Sequence, residues 1–397
     1  MKKTMLRGLL GLSLICGLTP NFEASTMPKK AWTLMVFLNG DNNLDRFGVQ
    51  DVEEMTKVGS SDSVNVIVQF DRAYEKPADR LFIKHGSFDV VEHLGEVDMG
   101  SVDVYVDFVK WGIENYPADH YAVVMWNHGS GWNKQPGTEI KGISYDDQSG
   151  NHITTNQLTD AHNRIAQMLG KKLDILAFDA CLMQMLEVSY AVKDSVEVML
   201  ASEEVEPGEG WAYTEALNAL QKAGAGRHGA EAFATEVVDT YIRSYQNGSQ
   251  GNRKATQSWV YPARLDKVVE TLNAAAQSLM KPTYTDAIKA AISEVQRYHE
   301  RSNADAIHFL KLLQPSVSAE DQILIAQAIA AIEAHVGHSK NTGGSMANSF
   351  GTALYIPTRG WSYNKKYEDL AWAKDTLWDE FLNAHFKASN TLESDLK

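Results

Sequence analysis

The amino-acid sequence predicts an α/β fold: a mostly parallel central sheet with helices on both faces, plus a helical C-terminal region. Three observations predict it. Short apolar runs alternate with helically spaced segments through the first half of the chain. Glycines and turn residues follow several of those runs directly. From about Trp211 onward the helical pattern dominates.

Trp32-Thr-Leu-Met-Val-Phe-Leu38 is continuously apolar and ends in the turn cluster Asn39-Gly-Asp-Asn-Asn43, the pattern of a strand buried on both faces. Leu44 to Val58 has helical spacing and stops at Gly59. Val64 to Phe70 and Arg80 to Lys84 read as the next strands. A helix is predicted from Ser101 to Tyr116, stopped by Pro117, then a strand from Tyr121 to Trp126. A helix from Thr155 to Leu169 precedes strands at Lys172 to Phe178 and Glu197 to Ala201. Helices are predicted near 212–223, 229–246, 265–280, 283–300 and 319–336, with strands at Gln257 to Tyr261 and Thr352 to Ile356. A last amphipathic helix, Leu370 to Phe386, should pack on the body. The division expected is a signal peptide at 1–24, an α/β core at 25–224, a mainly helical subdomain at 225–345, and a closing strand and helix at 346–397.

The N-terminus supplies a basic flank (Lys2, Lys3, Arg7), an apolar run from Gly8 to Leu18 and a small-residue zone ending near Ala24-Ser25. This is the layout of a secretory signal, and the run is too short to span a bilayer. Phe22 departs from the small residue usual at a cleavage site. The expectation is a secreted or periplasmic protein with no membrane attachment after the signal is removed. The chain carries a formal charge of −14; residues 1–24 contribute +2, so the processed chain is at −16. Without clustered Lys and Arg, nucleic acid is excluded as a partner.

Of two cysteines, Cys16 lies in the signal, leaving Cys181 as a lone thiol. Exported proteins usually pair their cysteines. Burial is the commonest fate of a free one, so its context has to argue for reactivity. Asp179-Ala-Cys181 lies where a strand ends and a helix from Leu182 to Val192 is predicted, whose N-terminus would favour the thiolate. Trp126-Asn-His128-Gly-Ser-Gly131 lies at another strand end. Both would emerge on the carboxyl edge of the sheet, where α/β proteins bind ligands. The reading is a catalytic His128 and Cys181, with the backbone N–H groups of Gly129 and Cys181 as oxyanion donors. His128 precedes Cys181 by 53 positions, 181 less 128. Caspases also place the histidine upstream, by about 50 residues, whereas papain-like enzymes reverse the order.

Four ordered segments carry a family resemblance: Val36-Phe-Leu-Asn-Gly-Asp-Asn-Asn-Leu44, Val124-Met-Trp-Asn-His-Gly-Ser-Gly-Trp132, Asp174-Ile-Leu-Ala-Phe-Asp-Ala-Cys-Leu182 and Ala201-Ser-Glu-Glu-Val-Glu-Pro-Gly-Glu-Gly-Trp211. With them the chain resembles the clostripain-like cysteine peptidases, family C11 of the caspase-like clan. The resemblance implies a caspase-like fold and cleavage of peptide or protein substrates after Arg or Lys. It matches His128 and Cys181 to the dyad and Asp179 to the acid of the substrate pocket. Glu206 and Glu209 stand where the family has a hydroxyl or acid and an aspartate, which keeps the charge on longer side chains. Members are often cut between the His and Cys strands, so Lys134 and Lys141 become self-cleavage candidates, and the active form becomes a monomer, intact or nicked into two associated chains. Some members need calcium. No cofactor is required by the sequence itself, and calcium enters through the resemblance alone: Asp41-Asn-Asn-Leu-Asp45 fails the EF-hand pattern because Arg46 stands where glycine is needed.

Rival readings find less support. Asp179 as a helix cap and Glu206 and Glu209 as plain loop acids are the bland alternatives. His299-Glu300 lacks the second histidine of a zinc protease, since Asn303 takes that place. His335 and His338 have no third metal ligand nearby in sequence, and there is neither a G-x-S-x-G elbow nor a P-loop. The alternative from another class is a catalytically silent exported peptide-binding protein of the same fold.

Overall fold

The computed structural model describes residues 28–73, 76–132, 142–223 and 227–395. Strand β1 (Lys30–Gly40) leads into helix α1 (Asp45–Thr56), then β2 (Val64–Arg72), β3 (Lys76–Lys84) and β4 (Ser87–Gly95). Next come α2 (Val102–Asn115), β5 (Ala118–Trp126), the hairpin β6 (Gly142–Asp146) and β7 (Asn151–Thr154), and α3 (Thr155–Leu169). The core continues with β8 (Leu173–Asp179), α4 (Leu186–Ala191), β9 (Val196–Ala201), α5 (Tyr213–Ala223) and α6 (Arg227–Ser244). Local sequence explains clear boundaries such as those of α3. The Thr154 side chain accepts from the Gln157 N–H while the Gln157 side chain reaches back, a reciprocal cap, and Gly170 ends the helix at φ 64°.

Nine strands form one sheet in the order β14-β12-β9-β8-β5-β1-β2-β3-β4. The five from β9 to β2 are mutually parallel, and β3, β4 and β12 add antiparallel flanks. Alternation along β1 divides the core. Met35 and Phe37 pack with α2 and α3 on one face, and Leu34, Val36 and Leu38 with α1, α5 and α6 on the other. This is the caspase-like, mostly parallel sheet between two helical layers expected from the sequence.

The second half departs in detail from expectation. A small hairpin, β10 (Gln246–Gly248) and β11 (Gly251–Asn252), precedes β12 (Thr256–Val260). Helices α7 (Leu265–Leu279) and α8 (Thr285–Glu294) precede β13 (Asn303–Asp305), α9 (Ala306–Leu313), α10 (Ala319–His335) and β14 (Val336–Asn341). Both β12 and β14 belong to the main sheet, so the stretch 225–345 extends the core as well as supplying helices. Strand β15 (Ala353–Tyr355) instead pairs with β13, apart from the main sheet. The predicted last helix is two, α11 (Ala371–Asp375) and α12 (Trp378–Asp395). The main-sheet strands missed in sequence, β4 and β14, are edge strands with exposed or half-exposed residues, so no apolar run marks them.

Candidate active site

The chain passes from β1 to β2 on one side, while β5 lies against β1 on the other. That switch point opens a crevice beyond the carboxyl ends of the strands. Loops leave β1, β5 and β8 there, carrying Asn43, His128 and Cys181 respectively.

His128 Nε2 lies 2.6 Å from Asn43 Oδ1. An amide oxygen only accepts, so Nε2 carries the hydrogen and Nδ1 is the nitrogen able to take a proton. Asn127 fastens the surrounding loops. Its amide donates to the backbone oxygens of Asn39 (2.6 Å) and Tyr145 (3.2 Å) and accepts from the Tyr145 N–H (2.7 Å). Sequence reasoning missed Asn43; its signal was the position at the end of β1, beside the switch point.

No helix starts at Leu182, which corrects the expected placement of the thiol at a helix N-terminus. Leu182 adopts φ 66°, a strained conformation for a side chain of its size, and the chain turns sharply after Cys181. It then runs extended, with the Leu182 N–H on Glu204 O (3.2 Å) and the Gln184 N–H on Ser202 O (2.9 Å). Only at Leu186 does the six-residue α4 begin. The apolar Leu182-Met-Gln-Met-Leu186 run misled because it serves a buried extended segment. Cys181 Sγ accepts the Glu206 N–H at 3.3 Å. Burial pushes the thiol up, the Glu204 and Asp179 carboxylates push the same way, and the Glu206 N–H opposes them.

A Cβ at Gly129 would lie 2.4 Å from Cys181 O, so only glycine lets these loops approach so closely. Gly129 bridges to Ile143, and the bond there is donated by the Ser130 N–H to Gly142 O (3.0 Å); the Gly129 N–H is not spent on it. Behind the crevice, Glu187 accepts from the Tyr355 N–H (2.8 Å) and the Tyr367 hydroxyl (2.9 Å), while Trp132 packs edge-on against both tyrosine rings. The C-terminal region thus buttresses both loops.

His128 and Cys181 line two adjoining cavities. One, about 240 Å³, is also bounded by Leu44, Asp179, Glu206 and Gly210; the other, about 450 Å³, by Gly129, Tyr145, Val205 and His299. In the first, Asp179 accepts the Trp211 N–H at 3.4 Å, and burial pushes its carboxyl up to about 6. Glu206 Oε2 is buried and has no donor, and burial together with Asp179 raises that carboxyl well above the usual range. Asp51, missed in sequence, is raised likewise by burial and Asp179 while accepting the Trp126 indole N–H at 2.7 Å. Gly210, at φ 55°, folds the loop over Asp179; a Cβ there would sit 2.9 Å from the carboxylate. Asp179 and Glu206 are therefore brought together. Glu209 is not with them: it is exposed and lines the neighbouring hollow with Phe47, Arg253 and Lys254. Lys134 and Lys141 lie outside the described residues. Among the described residues, a carboxylate set compact enough to hold an ion is Asp41, Asp71 and Asp146.

The sheet and its switch-point loops define a caspase-like α/β protein with a thiol and an imidazole at the ligand-binding edge. Residues 36–385 match the model of the clostripain family, and the chain belongs to that family of cysteine peptidases. It is 30% identical over 229 residues to clostripain of Hathewaya histolytica, an alignment spanning 49% of this chain and 43% of that protein, so less than half of the relative's length is matched. Among solved structures it is similar to a secreted C11 cysteine protease of Bacteroides thetaiotaomicron, held in complex with an irreversible peptide inhibitor (21% identity, TM-score 0.66, 90% of this chain and 99% of that one). It is also similar to an inactive zymogen C11 protease of Parabacteroides distasonis (18% identity, TM-score 0.66, 88% and 98%). At those identities the likeness is one of fold. No helix among the described residues is long and apolar enough to cross a membrane.

Proposed function

We propose that this chain is an exported cysteine endopeptidase that cuts peptide bonds after Arg or Lys, using Cys181 and His128. The observation that carries the reading is that one cavity has the thiol and imidazole on its wall and buried, undercompensated carboxyls behind them. A cationic side chain entering it would meet Asp179 and Glu206, and a guanidinium can engage carboxylate through paired hydrogen bonds.

In the reaction, His128 Nδ1 takes the Cys181 proton as Sγ attacks the carbonyl carbon. The oxygen that becomes negative is held by the N–H groups of Gly129 and Cys181. The imidazolium then protonates the departing amine, leaving a thioester on Cys181. Water attacks that ester, His128 takes its proton, and the acid leaves as the thiol is restored.

Export is supported by the three-part N-terminus and by the relative described as secreted. Self-cleavage at Lys134 or Lys141 extends the same specificity to the chain's own loop, with the active unit a monomer. Cys181→Ala should abolish cleavage of peptides containing Arg, and His128→Ala should lower it by roughly 100- to 10,000-fold, with both variants folded by circular dichroism. Cleavage surviving Cys181→Ala refutes the reading, and peptide binding without turnover by the wild type establishes the silent binding protein instead. Intact mass of the wild type against Cys181→Ala tests self-cleavage: equal nicking of both assigns it to another protease.

A further inference from the structure

Strand β12 lies antiparallel beside β9 and brings a residue 51 positions beyond Glu206 up to its side chain. The first residue of β12 fastens the segment that carries Glu206: Thr256 Oγ1 accepts the N–H groups of Glu203 (3.1 Å) and Glu204 (3.0 Å). The next residue, Gln257, donates from Nε2 to Glu206 Oε1 at 3.3 Å. Alternation along the chain puts Gln257 on the face of Ala255 and Trp259, which belong to the core beneath α6. Gln257 is 1% exposed, and its own Oε1 has no hydrogen-bond partner.

Packing does not account for this amide. A leucine or methionine would fill the same space without leaving a buried carbonyl oxygen unpaired, which costs stability. The partner supplies the reason. Glu206 borders the same cavity as Asp179, and its Oε2 is buried without a donor. Repulsion between the two carboxylates favours turning the long glutamate side chain away, and its rotatable bonds allow that turn. The Gln257 amide opposes it, because its nitrogen only donates and a carboxylate oxygen only accepts. Asp179 is held differently: its shorter side chain takes the Trp211 N–H at 3.4 Å.

We propose that Gln257 is a specificity-determining positioning residue: its amide holds the Glu206 carboxylate at the cavity beside Asp179, so that both acids meet one cationic side chain of the substrate. The inference deepens the peptidase reading and rests on it. Gln257 acts through Glu206 and touches neither Cys181 nor His128 through any hydrogen bond among the described residues. A neutral side chain before the cut makes no use of the charge that Gln257 holds. Selection of basic peptides therefore depends on this residue, and the chemistry at Cys181 does not.

The test compares the whole chain with its Gln257→Leu variant on matched fluorogenic peptides that carry Arg or Leu before the cut. The Arg peptide should lose about tenfold in kcat/KM, nearly all of it through KM, and the Leu peptide should change by less than about twofold. In a chain already carrying Glu206→Gln, adding Gln257→Leu should alter the Arg peptide by less than about twofold, because the charge to be held is gone. Gln257→Met serves as the second variant should the leucine chain fail to fold by circular dichroism. Equal losses on both peptides, or loss of folding in both variants, would make Gln257 a packing residue and overturn the proposal. A loss that persists undiminished beside Glu206→Gln overturns it too. The parent chain separates the two claims. If it does not cleave after Arg, the peptidase reading itself falls, whereas parent cleavage with an Arg-to-Leu ratio unmoved by Gln257→Leu removes this inference alone.

Discussion

Two sets of buried acids lie at the carboxyl edge of the sheet, one of them including Asp41 from the loop that carries Asn43. Asp179 and Glu206 border a cavity that Cys181 also lines, with Asp51 buried behind them close enough to act on Asp179; Asp41, Asp71 and Asp146 are buried, two of them held by backbone donors. Both concentrate negative charge where water is scarce, and both raise their own proton affinities as a result. The difference is access. An acid set open to a cavity can exchange its protons for the cation of a visiting side chain, whereas a closed set is shielded from one. Buried carboxyls without basic partners thus point to the charge that completes them.

The comparison breaks most sharply at Asp179. Asp179→Asn removes charge from the open set, and losing one partner of a buried charge pair costs about 3 kcal/mol. The kcat/KM for a peptide with Arg before the cut should therefore fall by about 100-fold or more, with a Leu peptide nearly unchanged; equal losses on both would make Asp179 a structural residue only. Next comes Asn43, whose side chain meets His128. Asn43→Ala should lower kcat by about 10- to 100-fold and leave KM near its starting value. A rise in KM with kcat intact would place Asn43 in substrate binding instead.

The third effect is of pH. With Asp179 raised to about 6, the ligand-free fold binds more protons than the unfolded chain. Its contribution to stability is complete below about pH 4 and is lost as pH rises through about 6. Binding of a basic substrate runs the other way, so KM for the Arg peptide should fall by about tenfold between pH 5 and 7, and a neutral peptide should show no such trend. The smallest effect belongs to Glu209. As an exposed acid outside the cavity, Glu209→Gln should change kcat/KM for the Arg peptide by less than about threefold; a loss matching that of Asp179→Asn would bring Glu209 into the pocket.

Much of the fold was legible because the buried parallel strands are uninterrupted apolar runs and the helices between them have clean stops, as at Gly59, Pro117 and Gly170. The placement of His128 and Cys181 at one sheet edge was legible because each closely follows such a run. What stayed hidden depends on tertiary contact. The apolar stretch after Cys181 has helical composition, yet its backbone is held extended by Ser202 and Glu204 and turned by Leu182. Glu206 and Glu209 look equivalent in sequence, and only the turn through Gly208 and Gly210 decides which one faces Asp179. The Asp41 cluster draws on segments more than a hundred positions apart, so no local pattern marks it, and the neighbouring Asp45 pairs with Arg72 instead.

The central claim is that this edge of the sheet cuts peptides after basic residues with Cys181. Matched fluorogenic peptides, identical except for Arg or Leu before the scissile bond, measure it directly through the ratio of kcat/KM values. The account predicts that Arg exceeds Leu by about 100-fold or more, and that Cys181→Ala reduces both rates to background. Leu cleaved as fast as Arg, or Arg cleavage persisting in Cys181→Ala, would contradict it.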